Sequence, residues 1–345
     1  MKCVSRGAVT WLVASVMAWA SLASAAGAFK VDRRILLGGE GGWDYLTMDV
    51  PGQRLFVSHG THVQVVDTRN DRVVGDIPNT LGVHGVALAP ELGRGFTSNG
   101  RDSTVSVFDY KSLAVSSQIK LDARNPDAIA YDPVSRRVFT FNGGSGNASA
   151  IDAPSARLVG SVPLDGKPEF AVADGKGAMF VNIEDSSCVV AFDARTLRVL
   201  HRWPIAPGEE PSGLAMDRKH RRLFSGCSNQ KLVVLDADQG AVVATLPIGK
   251  GVDAVAFDPN RNLIFSSNGE GTLTVIHEDS PDKYTVVENA TTERGARTMA
   301  LDAGSGTVYV VTADFGPAPA PTEERPHPRP TIQPGTFRVL VLKRK

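Results

Sequence analysis

Short apolar runs recur along this chain at a nearly fixed interval, separated by polar, turn-forming stretches. The runs are Tyr45–Met48, Gly85–Leu88, Ala128–Tyr131, Phe170–Ala173, Gly213–Met216, Ala254–Phe257 and Thr298–Leu301, and their starts are 40, 43, 42, 43, 41 and 44 residues apart. After each run comes a turn, then a second apolar strand carrying Phe56, Phe96, Phe139, Phe180, Phe224, Phe265 or Tyr309 near its start. A third strand follows, ending at Asp67, Asp109, Asp152, Asp193, Asp236 or His277, with Leu342 in the last unit, and then a fourth. Pairs such as Val105/Val107 and Val233/Leu235 alternate with period two, as strands packed face to face require. Asp132-Pro133 and Asp258-Pro259-Asn260 supply tight turns. No amphipathic helix of useful length interrupts the pattern.

Four short strands in about forty residues are the signature of a propeller blade. One such sheet cannot cover its own two faces, so the blades must stack on one another around an axis. The expected fold is all-β, a seven-bladed β-propeller of four-stranded blades. The seventh unit lacks a fourth strand, because the chain ends soon after Leu342, while an unassigned apolar strand, Val31–Leu37, precedes the first unit. The economical closure has this N-terminal strand complete the last blade, which removes an open sheet edge.

Composition agrees with such a core. Apolar residues make up 42% of 345 but aromatics only 7%, so Val, Leu, Ile and Ala carry the packing. Lys2 and Arg6 followed by apolar Ala8–Leu22 and the small residues Ala23-Ser24-Ala25 read as a cleavable export signal, residues 1–25, leaving a mature chain 26–345. The expected location is then periplasmic or secreted, with no membrane span after cleavage. Lys2 and Arg6 are the only charged residues in that leader, so its removal leaves 35 basic against 37 acidic side chains. A mature chain with no basic excess disfavours nucleic acid as a partner. Cys188 and Cys227 then remain, read as small buried hydrophobes with a disulfide as the alternative.

The phrase Pro126-Asp127-Ala128-Ile129-Ala130-Tyr131-Asp132-Pro133, running on to Arg137-Val138-Phe139-Thr140-Phe141-Asn142 and Ile151-Asp152, resembles the YVTN-type propeller repeat of YncE-like exported bacterial proteins. Phe56–His59, Phe96–Asn99, Phe265–Asn268 and Tyr309–Thr312 carry the same resemblance, which covers essentially the whole mature chain. Blades four (Phe180–Ile183) and five (Phe224–Cys227) depart from it. The resemblance implies fold and export; it does not imply an activity, because propellers host many.

A functional site is expected at the top face, where residues just before each innermost strand converge. These are Asp44, His84, Asp127, Glu169, Ser212, Asp253 and Arg297, with a second ring of His59, Asn99, Asn142, Asn182, Cys227, Asn268 and Thr312 from the ends of the second strands. Three functional readings fit. Carboxylates and amide oxygens suit a divalent cation, with Asp127 and Asp253 as ligands. His84, Glu169 and Arg297 supply an acid–base pair and a charge stabiliser for a lactonase-like or other hydrolase, without a nucleophile motif. The third reading is recognition of a small polar ligand or a protein. Against all three stands a plain solvated ring with no function.

Residues 316–335 form a Pro-rich insert between the second and third strands of the last blade, expected over the same face. As an arm or lid it would bring Arg325, His327 and Arg329 over the acidic mouth; the alternative is a disordered loop. The leading expectation is a monomeric, non-enzymatic binding or scaffold protein.

Overall fold

A computed structural model describes residues 28–40, 42–320, 322 and 330–345 of the chain. The expected export signal, Arg325, His327 and Arg329 lie outside the described residues. Seven four-stranded antiparallel sheets follow one another as blades. Their innermost strands are Leu46–Asp49, Val83–Ala89, Pro126–Asp132, Pro168–Ala173, Pro211–Asp217, Val252–Asp258 and Met299–Asp302. Blade seven has the order inferred from closure: the N-terminal strand Phe29–Leu36 pairs with the C-terminal strand Arg338–Arg344, outside Thr307–Thr312 and Met299–Asp302. No described helix is long and apolar enough to cross a membrane.

Burial grades outward through each blade. Second strands such as Arg54–His59 and Arg137–Asn142 are buried along nearly their whole length, because a blade packs on both neighbours there. Outermost strands such as Arg157–Pro163 alternate between exposed and covered positions. The recurrent phenylalanines Phe56, Phe96, Phe139, Phe224 and Phe265 are fully buried between blades. At about 25 cal/mol per Å² of apolar area removed from water, these inter-blade layers are the main stabilising term.

The Asp that ends most third strands caps the following turn. Asp109 accepts the Ser112 amide at 2.7 Å, Asp193 the Thr196 amide at 2.6 Å, and Asp236 the Asp238 amide at 2.8 Å. Hydrogen bonds from Arg69 to Asp67 hold that carboxyl down at about 2. An arginine at the start of several second strands then clips neighbouring blades together. Arg94 Nη1 donates to the Ala153 carbonyl (3.0 Å) and Arg137 Nη1 to the Ala194 carbonyl (2.8 Å). Blade six departs from the pattern. Its third strand runs past His277 to Ser280 and its fourth is Lys283–Thr291, so its outer hairpin is longer than the repeat predicts.

Cys188 and Cys227 are buried free thiols, and burial pushes the Cys227 thiol up to about 11. The base of the Pro-rich insert is paired: Phe315 and Ile332 form an antiparallel bridge, and the Gly316 amide donates to the Thr331 carbonyl at 2.8 Å. Arg338 anchors this stem by bonds to Asp314 (2.8 Å) and Glu293 (2.9 Å).

Candidate functional site

The backbone brings Asp44, His84 and Asp127 together from blades one, two and three. His84 Nδ1 lies 2.6 Å from Asp44 Oδ2 and 3.4 Å from Asp127 Oδ1. Burial works against a charged imidazole here, but the Asp44 hydrogen bond and the charges of Asp127 and Asp44 outweigh it and hold His84 up at about 9. Burial raises Asp127 to about 6, with His84 pulling the other way. At neutral pH this group is therefore an imidazolium clasped between carboxylates.

A second group spans blades five to seven. Ser212 Oγ donates to Asp253 Oδ1 at 2.8 Å. Arg297 Nη1 stands 2.6 Å from Asp253 Oδ2, an ion contact without the alignment of a hydrogen bond. Asp253 is raised by burial, with Arg297 opposing. The structure thus commits Asp127 to His84 and Asp253 to Arg297 rather than gathering the two carboxylates as one cation site. Asp44, His84 and Asp127 do place ligand-type atoms within 4.8 Å of one another.

Lys167 is a mouth residue that the repeat pattern did not reveal. It precedes its innermost strand by one position, and its ammonium reaches back to Glu169 Oε1 (2.9 Å) and makes a close contact with Glu184. Burial still raises Glu169 to about 8, with Lys167 opposing and Asp127 adding to the rise. Each acid of the first ring therefore has a cationic partner within the mouth. Repulsion among these four carboxylates is thereby largely relieved by His84, Lys167 and Arg297.

The asparagines of the second ring are not in the funnel. Asn99 accepts from Thr97 (2.8 Å) and donates to Thr104 (3.0 Å) and Ser106 (2.9 Å). Asn142 repeats the arrangement with Thr140, Asn147 and Ser149, and Asn268 with Ser266, Thr272 and Thr274. Asn182 instead bridges blades, donating to the Ser212 and Gly213 carbonyls and accepting from Ser225. All four are fully buried, and these bonds brace strands. The sequence signal is the Thr or Ser two residues before Asn99, Asn142 and Asn268. His59 is also buried, its ring tilted against Phe337 at 4.5 Å. Burial and the neighbouring His62 lower its pKa, and a contact with Gln64, too poorly aligned for a hydrogen bond, opposes them.

Beside the charged mouth lies a cavity of about 410 Å³, lined by Trp43, Phe315, Pro330 and Ile332, by Gly251, Gly269 and Gly295, and by Arg294 and Arg297. Trp43 stacks on Phe337 (5.1 Å) and leans on Phe315 (6.1 Å), while the Arg294 guanidinium sits 5.8 Å from the Phe315 ring centre. The indole nitrogen of Trp43 is buried without a hydrogen-bond partner among the described residues. Phe315, Pro330 and Ile332 belong to the stem of the insert, so that stem forms one wall. A more open, polar hollow of about 590 Å³ lies at the rim of blades three and four, among Gly143, Gly166, Lys167 and Asp185.

No family model matches the chain, and no curated protein matches it. Among solved structures, one chain of a crystal structure titled as the mitotic checkpoint complex superposes with a TM-score of 0.72 at 13% identity, covering 89% of this chain and 96% of that one. It is one of 1859 solved chains that match, and a fold shared so widely selects no function. The likeness supports the seven-bladed propeller and nothing finer.

Proposed function

We propose that this protein is an exported, non-enzymatic binding protein that takes a small ligand with an apolar body and a carboxylate in the cavity at the root of the Pro-rich insert. The observation that carries the reading is the apolar wall of Trp43, Phe315, Pro330 and Ile332 faced by Arg294 and Arg297. Apolar walls with a few convergent polar groups are what small-molecule sites share. The insert stem, through Phe315, Pro330 and Ile332, is part of the wall. Export rests on the Lys2/Arg6, Ala8–Leu22 and Ala23-Ser24-Ala25 pattern, and kinship with YncE-like periplasmic proteins rests on the repeat phrase.

The test uses Trp43 as its own reporter. The only other Trp of the mature chain is Trp203, so a Trp203→Phe background isolates it. Phenylacetate and medium-chain fatty acids, titrated against their neutral alcohols, are expected to change Trp43 emission saturably. Arg294→Ala together with Arg297→Ala should abolish the response to the acids. A response that the alcohols share equally, or none to any probe, would overturn the reading.

A further inference from the structure

On the face opposite the funnel, three side chains from two blades converge. Asp217 ends the innermost strand of blade five, His220 follows in the turn, and Glu278 lies in the lengthened third strand of blade six. His220 Nδ1 stands 2.6 Å from Asp217 Oδ2 and 3.6 Å from Glu278 Oε1, and the three ligand-type atoms fall within 4.8 Å of one another.

Comparison among blades shows how far this spot departs from its repeats. In blades three to six the residue after the third-strand turn Asp, or His277 in blade six, donates its amide to the first turn of its own blade. Ala153 donates to Arg136 (3.0 Å), Ala194 to Gly177 (2.9 Å), Ala237 to Arg221 (3.0 Å) and Glu278 to Asn262 (2.9 Å). The three alanines are buried, and Glu278 is only 3% exposed. Blade six thus seats a carboxylate where blades three to five seat a methyl group and blades one and two seat Thr68 and Tyr110. The partner position departs as well. In blade six Asp258 is matched by Arg261, three residues on, at 2.8 Å, whereas in blade five that place is His220.

The buried groups are left incomplete. Among the described residues Glu278 Oε2 has no hydrogen-bond partner, and the His220 Nδ1 contacts with Asp217 and Glu278 lack hydrogen-bond alignment. Asp217 spends acceptor capacity on the Lys219 and His220 amides at 2.9 and 3.2 Å. Tyr284 Oη donates to the Pro281 carbonyl at 2.7 Å and reaches Glu278 only at 3.5 Å. Arg222 is held by Asp236 (2.8 Å) and Asp282 (2.9 Å), pinning the blade-six hairpin onto blade five. Burying a carboxylate with one oxygen unpaired is costly, and blade six keeps one at this position.

We propose that Asp217, His220 and Glu278 form a binding site for a divalent transition-metal ion of the zinc type, joining blades five and six. Two carboxylates and a neutral imidazole match a 2+ charge and a borderline cation that accepts both N and O ligands. Three protein ligands leave a position for water, and His220, partly exposed, gives the ion its path in. This site is separate from the ligand cavity, and either can stand without the other.

The experiment is a zinc titration of the chelator-treated, tag-free mature chain by calorimetry, with metal retained after gel filtration measured by atomic absorption. One equivalent is expected in the wild type, along with a raised melting temperature. His220→Gln and Glu278→Ala should each lose that equivalent, the latter restoring the alanine of blades three to five, while His84→Gln in the funnel should keep it. Co²⁺ added to wild-type protein should give visible ligand-field bands that His220→Gln lacks, a readout that needs no second folded carboxylate variant. No retained zinc and no Co²⁺ bands in the wild type would overturn the proposal. Undiminished binding in both underside variants, or loss in His84→Gln alone, would overturn it too.

Discussion

Tyr45 and Phe170 meet ring to ring, 4.3 Å between centres, although they belong to blades one and four. Blades that are not neighbours touch only across the axis, so this pair bridges the central channel just below the charged mouth. Burial raises the Tyr45 hydroxyl well above its ordinary pKa, and Asp127, Asp44, Glu169 and Asp253 add to the rise. The mouth is therefore a funnel with an aromatic floor, and its charges act on one another across a short, poorly hydrated gap.

Truncating that floor should cost less than a fully buried aromatic would. Both rings are partly accessible along the channel, so Tyr45→Ala or Phe170→Ala should lower unfolding free energy by about 2 kcal/mol, below the range for fully enclosed rings. Urea denaturation measures it, and the double variant should lose less than the sum, because the second truncation removes a contact already gone.

Stability should fall as pH rises through the neutral range. Folding lifts His84 from 6.5 to about 9, Glu169 from 4.5 to about 8 and Asp127 from 3.8 to about 6. A raised pKa means that the folded state holds its proton more tightly than the unfolded chain. The stabilisation from each group is complete below its unfolded value and is lost as pH climbs through the folded one. The turn carboxyl Asp67 works the opposite way: its pKa falls from 3.8 to about 2, so its contribution disappears only in strong acid. Melting temperatures between pH 4.5 and 9 should therefore decline with pH. His84→Gln should flatten the part between pH 6.5 and 9, and Glu169→Gln the part between pH 4.5 and 8. A profile unchanged by both variants would mean that the mouth is as well hydrated as free solution.

The repeat made the fold legible because each blade solves the same packing problem with the same residue types. The closing strand followed from a missing partner, and the turn aspartates from their regular place. The site was less legible, because its chemistry lies in what differs among blades. Lys167 precedes Glu169 by two residues, yet only the curvature of the loop shows that it neutralises the mouth. Asn99 and Asn142 stand at strand ends that point toward the top, but their amides turn inward to hydroxyls supplied by their own blades. Glu278 was hidden behind His277, the one third-strand position among the first six where the aspartate pattern breaks.

Those inward asparagines give a prediction that separates bracing from binding. Asn142→Ala would leave Thr140, Asn147 and Ser149 without their shared partner in a buried layer. The cost should be about 2–3 kcal/mol, with no change in the Trp43 response to carboxylates. A normal melting temperature combined with a lost response would move Asn142 back into the ligand site.

Closure by the N-terminal strand should be a condition of the monomeric fold. Phe29 packs edge-on against Phe265 of blade six at 5.2 Å, its amide donates to Glu288 at 3.0 Å, and Lys30, Val31 and Arg33–Leu36 continue the pairing along the C-terminal strand. Phe29→Ala should cost about 3 kcal/mol, as for other buried aromatics, and leave the ring closed. Removing residues 28–37 should do more, because the edge of Arg338–Arg344 would then be open to another chain. Light scattering after gel filtration should show the truncated protein self-associating, and a peptide of residues 28–37 added in excess should restore a monomer. A truncated chain that stayed monomeric and melted as the full chain does would show that the seventh and first blades hold together without the closing strand.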